Sequence, residues 1–519
     1  MLTVAVAAAK VAVKVATVTS SVSAVSSRAG APLATRRGGH GHGHSHKVAS
    51  VRAPLTAAEH TAALAAYRAM ECNKLAHPWL QSCSDTWRGL FVMCFKAAGL
   101  RLYAPLFIIP ALVRGKSIQH ILTRTVPDVA RSAFFIATFA TSFCFYFCNF
   151  RHLLGFNTVL TNGIIPGFLA SATSLPIEKK ARRREIALYC SNHATSAVAR
   201  LLVFHGWLPY VPYMDVATFT VAMSALMWTF RREPERLGSG VSALFGWMMD
   251  VRIPASPSDH PRSSQPAHNH QQPQQQGEQA QSSDRPSRPS RVKAILAKIQ
   301  CPKPLLPTWR YIMGLLALKC PVCKHPGGCA HGALRAVLKG FALGFGLRGG
   351  VAFATSLAKY KLQLKKVLRA VFARPNLAFG GFLATLFGSA RATECVLRLL
   401  RRKDDGINAV VAGAVSSLSI LLARNEEISM YMLWKSFEAL FNYGEARGMV
   451  PSWYHGDVLL FSVACSLLFH ISVFEPHNLR RSYWNFLDKV SAGLWSHINR
   501  QAMDVLGFQS SALHPHDRV

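Results

Sequence analysis

Acidic residues are scarce in this sequence: 25 Asp and Glu stand against 59 Lys and Arg in 519 residues, a net charge of +34. Charge of either sign is thin too, at 16% of residues against roughly 25% in soluble domains. A soluble nucleic-acid binder this basic would carry far more charge per residue, so no nucleic-acid partner is expected. Half of the residues are hydrophobic, which excludes a wholly disordered chain. Catalytic motifs are missing as well: there is no Gly-x4-Gly-Lys-Ser/Thr, no His-Glu-x-x-His, no Gly-x-Ser-x-Gly and no carboxylate pair in an apolar setting. Gly344-Phe-Gly346-Leu-Arg-Gly349 has the spacing of a dinucleotide fingerprint, but no Asp or Glu follows until Glu394, so the acid that would hold the ribose is absent. No Asn-x-Ser/Thr sequon occurs, which removes one sign of a secretory route.

What is present is a series of uncharged runs, each near the roughly 20 residues a membrane helix needs. Ser132 to Phe150, His152 to Ile177, Gly406 to Ala423 and Val458 to Phe474 are the clearest. Leu201 to Phe230 contains one acid, Asp215, and turns at Pro209 and Pro212 between two expected spans. Gly89 to Val113, Ala333 to Ala358 and Leu377 to Leu397 carry scattered charges such as Lys96, Arg101, Lys339 and Arg348, so they read as weaker spans or as interfacial helices. The expected fold is all-α: a polytopic membrane helix bundle made of two duplicated halves joined by a disordered linker.

Polar segments set the expected boundaries. Residues 1–65 form a basic, His-rich extension, with no acid before Glu59 and with His alternating from His40 to His46. Its composition is transit-like, and the alternating imidazoles suit either a transition metal or a plain low-complexity tract. Residues 251–292 are rich in Pro, Gln, Ser and His and read as the linker. The first membrane repeat then spans 66–250 and the second 293–508, with a tail at 509–519. A basic run, Lys179, Lys180, Arg182, Arg183 and Arg184, follows the longest uncharged stretch and is expected to face the cytosol or anionic lipid.

The duplication is read from one offset. Ile186-Ala-Leu-Tyr189 and Ile428-Ser-Met-Tyr431 lie 242 residues apart, and the same shift superposes Asp215-Val216 on Asp457-Val458, Phe219 on Phe461, Ser224 on Ser466 and Glu233-Pro234 on Glu475-Pro476. Four further residues of gap bring Gly167 onto Gly413. Matched acids at span ends, Asp215 and Asp457, suggest a polar site between repeats; each also precedes a long apolar run and suits a helix cap. Gly340 and Gly344, and Gly346 and Gly350, are Gly-x3-Gly pairs that let membrane helices approach closely.

Each half opens on cysteine and histidine beside His-Pro: Cys72, His77, Trp79 and Cys83 in the first, Cys320, Cys323, His325, Cys329 and His331 in the second. Cys320, Cys323, His325 and Cys329 have the donor chemistry of a structural tetrahedral zinc site, and no water-activating Glu accompanies them. The same thiols also suit a buried or redox-exchanging role, or a disulfide between the heads such as one of Cys83 with Cys329. No other cofactor is expected.

Cys72, His77, Trp79 and Cys83, with the following GLRLYAPLFIIPALVRGK, resemble the amino-terminal domain of the transmembrane protein 135 family. The second half is similar in Asp404-Asp405, Ala412-Gly413, Ile428-Ser-Met-Tyr431, Gly448-Met-Val-Pro451 and Arg481-Ser-Tyr-Trp484, and more distantly resembles the mitochondrial Tim17-type translocase family. The resemblance implies a multi-pass protein of mitochondrial and peroxisomal membranes, tied to lipid handling and to mitochondrial fission through a dynamin-related GTPase. It brings no catalytic residues. Two functions are therefore expected in competition: a non-enzymatic regulator whose basic loops recruit lipid or partners, or a transporter of a lipid or metabolite along the inter-repeat interface.

Overall fold

Long apolar runs that cross lipid must satisfy every backbone polar group within the chain, which favours helix throughout. The computed structural model describes residues 56–251, 320–323, 328–360, 363–508 and 510–511. It is 81% helical and holds no strand among the described residues. Residues 1–55 of the expected extension, with His40–His46, all but the first residue of the linker, and His325 lie outside the described residues, while the end of that extension, 56–65, is not a loose segment but opens a helix.

Two short helices, α1 (Ala57–Ala69) and α2 (Cys72–Leu75), open the described chain. Thr56 starts α1 with a capping box, its hydroxyl accepting from the Glu59 N–H while the Glu59 carboxylate accepts from the Thr56 N–H. The first long helices are α3 (Cys83–Leu112), which passes through a π-helical turn at Ala98–Tyr103, and α4 (Ile118–Leu154). After them come α5 (Ile165–Ser174), α6 (Lys180–Phe204), α7 (Met214–Arg232) and α8 (Ser239–Met248). Beyond the linker stand α9 (Cys329–Tyr360), α10 (Leu364–Arg401), α11 (Gly406–Ser417), α12 (Glu426–Ala446), α13 (Gly456–Phe474) and α14 (Arg481–Val490).

Six helical stretches among the described residues are long and apolar enough to span a membrane: α3, α4, Cys329–Leu357 of α9, α10, α11 with its closing 3-10 turn to Ala423, and α13. The chain is a multi-pass membrane protein. The charged stretches around Gly89 and Ala333 belong to full candidate spans, because apolar side chains cover their outer faces: Leu100 is 73% and Val351 65% exposed. The uncharged run His152 to Ile177 is broken instead. Gly155 adopts φ 74°, a left-handed conformation that ends α4, and the chain restarts in a π turn at Leu160–Ile164. Asn157 holds the break by donating to the Tyr67 and Met70 carbonyls.

The compact units do not follow the linker. Unit 1 takes the described residues of Met1–Met214, Glu426–Trp434 and Val450–Val519; unit 2 takes those of Asp215–Asn425 and Lys435–Met449. Each unit therefore combines segments from both sides of 251–292, where the sequence suggested one unit per side. In unit 1, α4 packs along α3 and α5, and α13 lies against α5 and α6. Its core is aromatic: Phe139 and Phe143 of α4 meet Phe469 of α13 at ring-centroid distances of 5.0 and 4.3 Å. In unit 2, α9 and α10 pack along their length and α10 meets α11. A Cβ on Gly340 would fall 2.5 Å from the Leu383 carbonyl oxygen, and one on Gly344 2.8 Å from that of Phe379, so these two glycines set the spacing of α9 against α10. Gly346 and Gly350 face nothing within 4 Å.

Candidate functional site

Two features of unit 1 carry chemistry. The first is a cavity of about 260 Å³ walled almost wholly by apolar groups. Leu102, Phe135, Phe139, Phe461, Tyr483 and Trp495 line it, drawn from α3, α4, α13, α14 and the C-terminal segment. Leu106 also lines a second recess, of about 540 Å³, whose walls carry Arg114, Lys116, His120, Arg124 and Lys179. One acid stands there, Asp128, ion-paired with Lys179 at 2.5 Å. An apolar chamber beside a cationic recess has the polarity of an amphiphile with an anionic head.

The second feature is a knot of sulfur and imidazole. Cys72 begins α2, His77 lies just after it, Cys83 begins α3, and Cys148 comes from the last turns of α4. Their donor atoms all lie within 4.8 Å of one another. Cys72 Sγ is 3.3 Å from Cys83 Sγ, which is 3.5 Å from His77 Nε2. His77 is fully buried and its Nδ1 lies 2.9 Å from the Leu80 carbonyl oxygen. The head motif of the sequence contained three of these residues; Cys148, 65 positions after Cys83, gave no local signal.

In unit 2, the donor atoms of Cys323, Cys329 and Cys395 also lie within 4.8 Å of one another, and Cys320 is buried beside them with its N–H donating to Cys329 Sγ at 3.3 Å. Of the set expected there, Cys320, Cys323 and Cys329 come together, Cys395 joins from α10, and His325 lies outside the described residues.

The matched acids fall in different units. Asp215, in unit 2, accepts from Arg424 at 2.6 and 3.0 Å, and this guanidinium holds its carboxyl below the usual range. Asp457, in unit 1, accepts from the Val458 N–H at 2.9 Å. The basic run is engaged within unit 1: Lys179 pairs with Asp128, Lys180 stacks 3.9 Å over the Tyr454 ring, Arg182 pairs with Glu178 at 2.7 Å, and Arg183 donates to the Glu178 carbonyl at 2.8 Å. Arg184 likewise has a partner.

Residues 69–203 match the family model of the N-terminal cysteine-rich region of Transmembrane protein 135. That region runs from the end of α1 to the end of α6, and so contains all four residues of the unit 1 knot. The match covers none of the second half, and the Tim17-type likeness expected there is not supported. No solved structure matches the chain.

Proposed function

Because residues 69–203 carry the cysteine-rich region of the transmembrane protein 135 family, we propose that this multi-pass protein is a non-enzymatic lipid-handling protein of the mitochondrial or peroxisomal membrane, which binds one anionic amphiphile in unit 1. The observation that supports this reading is that the apolar chamber and the recess of Arg114, Lys116, His120 and Arg124 are neighbours that share a wall residue, Leu106. An acyl chain gains contact with Phe135, Phe139 and Phe461 without losing a hydrogen bond, and a carboxylate or phosphate head gains the cations.

The test is photo-crosslinking of the purified chain in bilayers with a diazirine fatty acid. The adduct is expected on peptides of α3, α4 or α13. Ile186→Trp, at the chamber wall, is expected to reduce labelling at least fivefold, and Arg114→Glu with Arg124→Glu to reduce it for the acid more than for the matching alcohol. Labelling spread evenly over the lipid-facing surface, or equal labelling by acid and alcohol, would overturn the reading.

A second reading is a scaffold that recruits a dynamin-related fission GTPase. It draws on Arg402 and Lys403, which are exposed just after α10. Reversing both charges would abolish recruitment on this reading and leave lipid labelling unchanged on the first.

A further inference from the structure

We propose that Cys72, His77, Cys83 and Cys148 bind a zinc ion, which staples the head of unit 1 to the membrane-spanning helix α4. The donor set decides the metal class. Three sulfurs and one imidazole, with no carboxylate among them, suit zinc over the oxygen-seeking cations, and four protein ligands leave no open position for water, so the site is structural. The spacing agrees. Zinc–sulfur bonds of about 2.3 Å and zinc–nitrogen bonds of about 2.0 Å in a tetrahedron place two sulfurs about 3.8 Å apart and sulfur about 3.5 Å from nitrogen. Cys83 Sγ and His77 Nε2 stand at that spacing, 3.5 Å, and Cys72 and Cys83, at 3.3 Å, need to part by about half an ångström; the pair is far from the roughly 2.05 Å of a disulfide.

The surroundings orient the ligands. With Nδ1–H donated to the Leu80 carbonyl, the His77 ring keeps its lone pair on Nε2, the nitrogen that faces Cys83. Locking the tautomer through the far nitrogen is the usual outer support of a metal-bound histidine. His152 Nε2, 3.9 Å from Cys83 Sγ and 4.0 Å from Cys72 Sγ, is placed to support the thiolates from outside the four.

Unit 2 supplies an independent argument. Shifts of 248, 246 and 247 residues carry Cys72 to Cys320, Cys83 to Cys329 and Cys148 to Cys395. All three counterparts are cysteines in one cluster of unit 2, where the donor atoms of Cys329 and Cys395 converge with that of Cys323 in place of Cys320. Cysteine is only 12 of the 519 residues, and a thiol contributed by a distant helix in both units is not expected from hydrophobic packing alone. In unit 1, binding is a ligand exchange with no redox step. Zinc(II) displaces one proton from each of the three thiols, the neutral imidazole binds as it is, three protons pass to solvent, and the complex carries a net charge of −1.

The experiment uses the full chain, purified in detergent under reducing conditions, with bound metal measured by plasma mass spectrometry. Wild type is expected to hold zinc tightly, His77→Ala and Cys148→Ser each to lose one equivalent, and Cys94→Ser, at a buried cysteine outside the knot, to lose none. Cobalt exchange of the wild-type chain and of a Cys323→Ser, Cys395→Ser variant keeps the test independent of whether the unit 1 variants fold. Both are expected to show thiolate-to-cobalt charge transfer and the strong visible bands of tetrahedral coordination. A folded wild type without zinc or those bands, a Cys72–Cys83 disulfide in the isolated protein, or loss of all metal with the unit 2 variant would overturn the proposal.

Discussion

Gly167 in unit 1 meets Ser466, and Gly413 in unit 2 meets Ser224; the serines are 242 residues apart and the glycines 246. The same kind of contact, a glycine of one helix against a serine of another, closes both units. The polar groups near those helices differ. Where unit 2 places Arg398, with Glu394 and Asp404 around it at 2.8 and 2.9 Å, unit 1 places Arg151, which donates to the Met70 and Ala69 carbonyls at 2.9 and 2.8 Å. Asp404 is held by Arg231 as well. Small residues that fix helix spacing thus recur, while the charged groups at helix ends are solved separately in each unit.

That contrast predicts its largest break at Arg398. Its side chain is 6% exposed, and so is that of Glu394, so Arg398→Ala leaves the buried Glu394 without its guanidinium, while Asp404 keeps Arg231. Removing one partner of a buried pair costs about 3–5 kcal/mol. Arg151→Ala removes two hydrogen bonds to carbonyls, each contributing about 1 kcal/mol. Hydrogen exchange of α10 and α13 peptides in detergent is expected to show strong loss of protection in α10 for the first variant and a weaker loss, confined to unit 1, for the second. Equal losses would mean that Arg398 is not the centre of its network.

The glycines should give the next largest difference. A Cβ on Gly413 would fall 2.6 Å from the Met223 carbonyl oxygen and 2.7 Å from Ser224 Cα, both backbone atoms that cannot turn away. On Gly167 the nearest atom, Ser466 Cα, is 3.0 Å off. Overpacking of this kind costs about 1–3 kcal/mol. Gly413→Ala is expected at or above the top of that range and Gly167→Ala near the bottom, read as a greater fall in melting temperature by scanning fluorimetry for Gly413→Ala.

Much of this architecture could be read from the residues. Helical class and the spans at Ser132–Phe150, Gly406–Ala423 and Val458–Phe474 follow from missing charge, since a lipid-facing turn has no way to hide an ion. Composition could not show that His152 to Ile177 breaks at Gly155, because the break depends on Asn157 reaching carbonyls nearly 90 residues earlier. Nor could it place Cys148 and Cys395, which sit far from the short cysteine motifs and signal only through a shift of 247. The units themselves were hidden for a similar reason: which side of a long helix finds its partner is decided by contacts such as Gly413 against Ser224, across the linker.

The smallest expected effect separates the units by pH. His205 Nε2 in unit 1 lies 2.9 Å from a Glu475 oxygen, and Arg447 in unit 2 donates to Glu233 at 2.8 Å. The residues of the two pairs lie 242 positions apart in the sequence, and the pairs differ in having a titrating cation in one and a permanent cation in the other. The hydrogen bond to Glu475 outweighs burial and raises His205 above its ordinary value of 6.5. A group raised on folding contributes fully below its unfolded value and loses that contribution as pH climbs through the raised one. Unit 1 should therefore loosen by about 0.5–1 kcal/mol, after screening by solvent, as pH rises from 6.5 through the raised value. Hydrogen exchange at α13, corrected for its intrinsic pH dependence, is expected to report the change. His205→Arg should make unit 1 insensitive over that window, and Arg447→His should give unit 2 a sensitivity it lacks. A slope that survives His205→Arg would show that the effect does not come from His205 and break the comparison of the two sites.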